Sequence, residues 1–360
     1  MNRHLWPLHL KPCTDELLSS WIVRLSRAYG AGTERWCQAV WRHGAFWDRD
    51  IDKGIYESIL NVLAEKTATP LARVFDTTIR GYSGFPEHEL YPNGLSPWVL
   101  SIGLHQGRRQ RCWLQYCPYC LNDDQVPYFR RCWRLAFVTV CLVHRCRLLE
   151  RCMICGAPCN LYQLSSDAES LTQCHRCRFD ARRAHAPLLD HTAGHHGVMQ
   201  LQRWLIEALQ TGRCRLSPSE LVPSDEYLLV LQHLGRLLIT RKRAKALRTG
   251  FCQHLGECYF EPSFPSPRAR ALEVLPVADR FTLMLLLAWW LDDWPDQFVA
   301  MCAMAKLTVT DLRRDFGRQP DWYQQAVEQV ARGRFAGMKF ARYEVIEPVA
   351  ATSVKSHSLL

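Results

Sequence analysis

The sequence predicts a mainly α protein: a helical, helix-turn-helix-like N-terminal domain, a small central α+β module and a helical C-terminal domain. Three observations carry this. Apolar residues recur at helical spacing through residues 14–75 and again through 198–332. Between them lies a cysteine-crowded stretch with no long periodic run. Turn formers Gly81, Gly84, Pro86, Pro92, Gly94 and Pro97 mark the first boundary. The expected segments are 1–105, 106–185, 186–347 and a polar tail, 348–360.

Composition bounds the class. Apolar residues make up 48% of the 360 and charged residues 22%, which excludes a largely disordered or fibrous chain. The net charge is +10, and arginine outnumbers lysine 37 to 8. Guanidinium forks fit phosphates and base edges, so an arginine-rich cation favours nucleic-acid contact. The start, MNRHLWPLHLKPC, has no apolar core of signal-peptide length. Phe281–Leu291 is the longest apolar run; eleven helical residues span about 16 Å, too little for a bilayer. A buried core helix and a cytoplasmic protein are expected.

In the N-terminal domain, 14–30 reads as a helix capped by Thr14, with Asp15 and Glu16 in the first turn. Leu17, Leu18, Trp21, Ile22, Leu25, Ala28 and Tyr29 form its stripe, and Gly30 and Gly32 end it. A second helix spans 33–43 with Trp36, Val40 and Trp41 inward; Arg24, Arg27, Arg35 and Arg42 fall on outer faces. Residues 54–66 form a third helix. Thr69-Pro70 reads as a cap with proline at the first helical position, opening a short helix in which Leu71, Val74 and Phe75 continue to Gly81. Two short helices about a three-residue turn resemble a helix-turn-helix. Toward the C-terminus, helices are expected at 198–211, 224–240, 276–291 and 295–306, with a paired unit at 308–317 and 322–332. Arg236–Lys245 ends one of these with positive charge.

The middle carries the chemistry. Eleven of the 17 cysteines lie between Cys112 and Cys177, which in a chain without a secretion signal points to metal ligation rather than disulfides. Four two-residue clips stand out: Cys117-Pro-Tyr-Cys120, Cys141-Leu-Val-His144, Cys152-Met-Ile-Cys155 and Cys174-His-Arg-Cys177. Each clip supplies two ligands, and tetrahedral zinc takes four. Sequential pairing gives one site of three cysteines and a histidine and one site of four cysteines, two tandem zinc fingers; crossed pairing is the alternative. Filled sites are structural, not catalytic. Cys112, Cys132, Cys146, Cys159 and His175 sit nearby as packing or outer-shell groups. Residues 106–183 hold 13 arginines, no lysine and six acids, so most of the net charge concentrates there. Arg130, Arg131 and Arg134 interleave with Tyr128, Phe129 and Trp133, a pattern that suits phosphate and base contact, or a small core with solvated arginines. With Arg145, Arg24 and Arg27 they are the candidate nucleic-acid residues. No P-loop, G-x-S-x-G or H-E-x-x-H motif occurs, and Asp292, Asp293 and Asp296 read as a solvated helix end. No constellation for catalysis is evident.

Two blocks resemble the TniQ family, which includes the TnsD-type proteins of bacterial transposons. One is Leu5-Trp6-Pro7-Leu8-His9, Pro12, Asp15-Glu16-Leu17-Leu18-Ser19-Ser20-Trp21-Ile22-Val23-Arg24-Leu25 and Tyr29-Gly30. The other is Cys117-Pro-Tyr-Cys120, Pro127-Tyr-Phe-Arg-Arg131, Trp133-Arg-Leu135, Cys141, His144, Leu148 and Cys152-Met-Ile-Cys155-Gly156. Leu142 stands where the family often has proline. The resemblance covers about residues 5–180. It implies a non-catalytic adaptor that selects the target site and recruits an AAA+ ATPase of TnsC or TniB type. The address comes from a CRISPR effector of Cascade type or from target DNA, and some members act as dimers. The alternatives are a DNA-binding zinc protein that reads an attachment site directly and, further off, a zinc-dependent nuclease.

Overall fold

The computed structural model describes residues 5–42, 46–86, 90–91, 94–102, 104–105, 108–109, 114–217, 219–240, 248–249 and 271–332. Cys112, residues 241–245 of the positive run and the tail 348–360 lie outside the described residues.

The N-terminal segment holds α1 (Leu18–Ala28), α2 (Thr33–Trp41), α3 (Glu57–Thr67) and α4 (Leu71–Phe75). Leu18, Trp21, Ile22 and Leu25 of α1 are buried, as the periodicity requires, while Ala28 is exposed. Gly30, at φ +63°, stops α1 by donating to the Arg27 carbonyl. The start of α1 differs from the expectation. Thr14 does not cap it; Leu17 is the N-cap and its N–H donates to the Phe129 carbonyl. Asp15 and Glu16 lie ahead of the helix because other segments claim their carboxylates. Asp15 accepts from Arg131, and Glu16 accepts from Arg24, Ser20 Oγ and the Cys13 N–H. Thr69-Pro70 also shifts by one: Pro70 is the N-cap of α4, not its first helical residue. Helices α3 and α4 pack about the three-residue turn 68–70 in the helix-turn-helix manner, though α4 has only five residues.

The middle module is small. Two-residue strands β1 (Leu104–His105) and β2 (Arg108–Arg109) pair antiparallel. Helix α5 (Pro118–Asp123) follows, then the antiparallel pair β3 (Val140–Cys141) and β4 (Cys146–Arg147). The C-terminal segment comprises α6 (Ala193–Thr211), the hairpin β5 (Arg213–Ser217) and β6 (Glu220–Pro223), α7 (Ser224–Thr240), α8 (Val277–Leu291), α9 (Asp296–Met304), α10 (Val309–Arg313) and α11 (Asp321–Ala331). Helix α6 begins before residue 198 because Thr192 Oγ1 accepts from the His195 N–H. The β5–β6 hairpin is an addition to the expected helices. Its signal is the alternation of buried Cys214 and Leu216 with exposed neighbours. Helix α8 is buried nearly all round, from Phe281 to Leu291. No described helix is long and apolar enough to cross a membrane.

One hydrophobic cluster contains residues of all three segments, from Leu17 through Phe137 to Val330. Polar latches cross the same seams. Trp98 Nε1 donates to the Leu228 carbonyl at 3.0 Å, and its backbone N–H to Glu273 at 2.8 Å. Gln202 on α6 accepts from the Thr139 and Val140 amides and donates to the Val140 carbonyl. Arg280 on α8, buried, donates to the Ala136 carbonyl at 2.8 Å and to Gln115 at 3.1 Å. The middle module is thus wedged between the two helical segments.

Candidate metal centres

The four clips close into two clusters, Cys117, Cys120, Cys141 and His144, and Cys152, Cys155, Cys174 and Cys177. This is the sequential pairing. Within each, the ligand atoms lie within 4.8 Å of one another, so each cluster could hold a metal ion.

In the first cluster His144 Nδ1 sits 3.3 Å from Cys120 Sγ and 3.6 Å from the sulfurs of Cys117 and Cys141. Cys120 and Cys141 are 3.5 Å apart. A tetrahedral zinc ion, with bonds of about 2.3 Å to sulfur and 2.0 Å to nitrogen, sets edges of about 3.8 and 3.5 Å. The donor set therefore fits such an ion in composition and size. Backbone amides aim at the sulfurs: Cys120 N–H at Cys117 and His144 N–H at Cys141, both at 3.4 Å. These bonds offset charge on thiolates in a buried site. The three cysteines are buried and the histidine is half-buried. Cys141 is held far below the usual thiol range by hydrogen bonds from Cys117, Cys120 and Cys146. Cys120 and Cys146 are pushed far up.

The second cluster has the same form in a wetter setting. Cys152 and Cys177 are 3.5 Å apart, Cys155 and Cys174 3.6 Å. The Arg176 N–H donates to Cys174 Sγ at 3.4 Å. Each turn is closed by a backbone pair: Cys152 N–H to the Ala157 carbonyl, and Cys174 N–H to the Phe179 carbonyl. In three of the four clips the residue after the second ligand is left-handed: Arg145 at φ +48°, Gly156 at +67° and Arg178 at +63°. Only Gly156 avoids the Cβ penalty there. Cys152, Cys155 and Cys174 are half-buried and Cys177 is exposed. Burial works against it, yet amide and thiol hydrogen bonds, Ala157 N–H first, bring Cys155 down to about 7.

This contrast sets an expected result. A chromophoric chelator should draw metal from the loaded chain in two phases, the faster from Cys152, Cys155, Cys174 and Cys177. Cys177→Ser should remove the fast phase and leave the slow one. Release of both ions at one rate would contradict the difference in shielding.

The neighbouring cysteines and His175 take outer positions. Cys146 Sγ lies 3.6 Å from Cys117 Sγ. Cys132 is half-buried against the core, while Cys159 and His175 line a small cavity beside the second cluster. Sequence reasoning missed Asp123, whose Oδ2 accepts from His144 Nε2 at 2.8 Å. Its signal was present: an acid three residues after a ligand, on the same face of a helix.

Of the candidate nucleic-acid arginines, Arg131 and Arg134 are buried, and Arg24, Arg27, Arg130 and Arg145 are half-buried. Arg134 is fully buried, clamped by Asp50 and Asp52 at 2.8 and 2.6 Å, and has no surface to offer a phosphate. Arg131 pairs with Asp15 and lies 3.7 Å from the Tyr82 ring centre. Arg130 forks onto Asp124 and rests over Tyr128 and Trp133. Arg24 pairs with Glu16, and Arg27 donates to the Ala168 carbonyl. Arg145 alone reaches outward, to His191 at 3.3 Å. The aromatic and basic interleaving therefore builds a core. Among the described residues, Arg151, Arg176 and Arg183 are exposed and carry no ion pair, unlike Arg178 and Arg182 beside them. All three fall in the stretch 151–183 that carries the second cluster.

The TniQ family model matches residues 7–148. This segment belongs to the TniQ family. The TniQ segment contains the first cluster whole and stops before Cys152, so the second cluster lies beyond the match. The structure accounts for its opening block. Asp15 and Glu16 take Arg131 and Arg24; Leu17 and Leu18 enter the core; Ser19 Oγ donates to Asp52; Ser20 Oγ donates to Glu16 and accepts the Phe129 N–H; Trp21 Nε1 donates to the Leu10 carbonyl. The polar side chains in that run tie α1 to the metal module or to the loops around it. No curated protein matches the chain.

Proposed function

We propose that the chain is a non-catalytic target-selection adaptor of a bacterial DNA transposon, working in the cytoplasm. It joins recognition of the insertion site to recruitment of an AAA+ ATPase of TnsC or TniB type, which brings the transposase. The observation that carries this reading is the TniQ match over residues 7–148, a segment whose metal cluster has all four positions filled by side chains. A filled tetrahedron keeps no place for substrate or water. The resident ions are read as two structural zincs, since soft thiolates with one imidazole suit that metal.

The address is read as coming from a CRISPR effector of Cascade type, to which the adaptor docks, as a monomer or a homodimer. The test is a reconstituted insertion reaction. With the chain present, insertions should fall at one distance from the guide-matched site. Without it they should stop or scatter, while the chain alone leaves DNA uncut. Site-specific insertion without the chain would refute the reading.

Direct contact with target DNA is the second reading, favoured by the exposed arginines around the second cluster. On this reading phosphate contact falls on Arg145, Arg151, Arg176 and Arg183, not on the buried set. Replacing Arg151, Arg176 and Arg183 by Glu should lower duplex affinity and flatten the slope of log K against log salt by about 0.9 for each phosphate that goes unneutralised. An unchanged slope by gel shift would place DNA elsewhere.

A further inference from the structure

We propose that the turn Cys152-Met-Ile-Cys155 is a docking point for a partner protein, and that it takes an acidic segment carrying an apolar side chain. This rests on the adaptor reading above, since an adaptor must hold a partner at its surface, and it competes with the DNA reading for the same arginines. Met153 and Ile154 form the tip of the turn and are 50% and 65% exposed. Single exposed apolar residues need no explanation, whereas an adjacent pair rimmed by polar groups marks an interaction site. The turn is closed by its own backbone. The Gly156 N–H donates to the Cys152 carbonyl at 2.9 Å, and the Cys152 N–H to the Ala157 carbonyl at 2.8 Å. The tip is therefore presented preformed, with little left to order on binding.

Positive charge flanks the tip on both sides. Arg151 lies against the base of the turn, its Nη1 donating to the Gly156 carbonyl at 2.9 Å. Arg176 stands on the facing turn, which the sulfur contacts Cys152–Cys177 and Cys155–Cys174, at 3.5 and 3.6 Å, bring up against the first. Residues 151–183 hold five arginines, no lysine and three acids. Two of those acids are already taken, Asp167 by Arg178 and Asp180 by Arg182. The surface thus binds carboxylates where it has them, and Arg151, Arg176 and Arg183 remain exposed without an ion pair. A partner segment with Asp or Glu on either side of an apolar residue satisfies the whole set: its carboxylates meet Arg151 and Arg176, and its apolar side chain covers Met153 and Ile154. A protein fits better than a duplex. Methionine and arginine are enriched and lysine is depleted where proteins meet, whereas phosphate neutralisation is served by either cation and does not call for an apolar tip.

Photo-cross-linking in the reconstituted insertion reaction tests this, with Ile154→benzoylphenylalanine in the full-length chain as the probe. Irradiation should join the chain to a protein component, at a segment with Asp or Glu flanking the point of attachment. Arg151→Glu with Arg176→Glu, added to the probe, should cut the yield of that product about tenfold. Met153→Ser with Ile154→Ser should keep the native near-UV circular dichroism and lower site-specific insertion about tenfold. A cross-link to DNA, or none while insertion proceeds, would overturn the proposal, and so would full insertion by the double serine variant. Insertion that is indifferent to the presence of the chain would instead overturn the adaptor reading on which it stands.

Discussion

Cys117→Ser is expected to leave no stable folded chain, whereas Cys177→Ser should leave a folded chain short of one metal. Apparent zinc binding in structural sites contributes about 10–16 kcal/mol. A domain's whole stability is about 5–15 kcal/mol. Losing most of the first term therefore exhausts the second, provided the cluster is part of the core. At Cys117 it is. The residue is fully buried, its Sγ caps α5 by accepting the Cys120 N–H, and its neighbour Tyr116 exchanges two backbone hydrogen bonds with Leu149. The module it organises is the wedge gripped by Gln202 and Arg280, so its collapse removes the surface on which α6 and α8 rest. Cys177 lies at the exposed margin, on a turn that the Cys174 N–H closes onto the Phe179 carbonyl. Near-UV circular dichroism and metal content separate the outcomes. A Cys117→Ser protein with native near-UV bands and two bound ions would show that the first cluster does not scaffold the fold.

The difference between the two clusters is not legible in the sequence, although their existence is. Clip spacing is a local property, so the ligands and their sequential pairing can be read directly. Burial is not local: the first cluster is sealed because α5 and β3–β4 pack into the shared core, and the second stands outside the TniQ segment among solvated arginines. Helices follow the same division. Helix α7 spans residues 224–240 as its periodicity indicates, since an amphipathic stripe needs no knowledge of its partner. The start of α1 departs from the capping pattern because Asp15 and Glu16 have good first-turn chemistry but are drawn away by Arg131 and Arg24. Capping propensity is worth about 1 kcal/mol and yields to buried ion pairs. The arginines mislead a local reading for a related reason. Arg134 has no acid near it in sequence, and its partners lie 82 and 84 residues back.

That arginine gives the second large effect. Arg134→Met is expected to destabilise the chain by about 3–5 kcal/mol, the cost of removing one member of a buried ionic group. The guanidinium donates Nη1 to Asp50 and Asp52 at 3.1 and 2.6 Å, and Nη2 to Asp50 and the Leu100 carbonyl at 2.8 and 2.9 Å. Asp52 also accepts from the Ser19 N–H and Oγ. Burial outweighs these partners and holds Asp52 up at about 6, with Arg134 pulling down and Asp50 pushing up. The sign follows. A carboxyl raised from 3.8 to about 6 on folding binds its proton more tightly in the native state. Its contribution to stability therefore grows as pH falls from 7 toward 4. Without Arg134 the downward pull on Asp52 disappears and Asp50 still repels, so Asp52 titrates higher and the acid-side gain widens. Urea denaturation between pH 5.5 and 8, with metal content checked at each pH, should show Arg134→Met losing most at pH 8 and least at pH 5.5. Adding Asp50→Asn should recover part of the loss, by relieving one unpaired charge. A uniform loss across pH, or none, would mean that Arg134 is held by packing and not by its ion pair with Asp52.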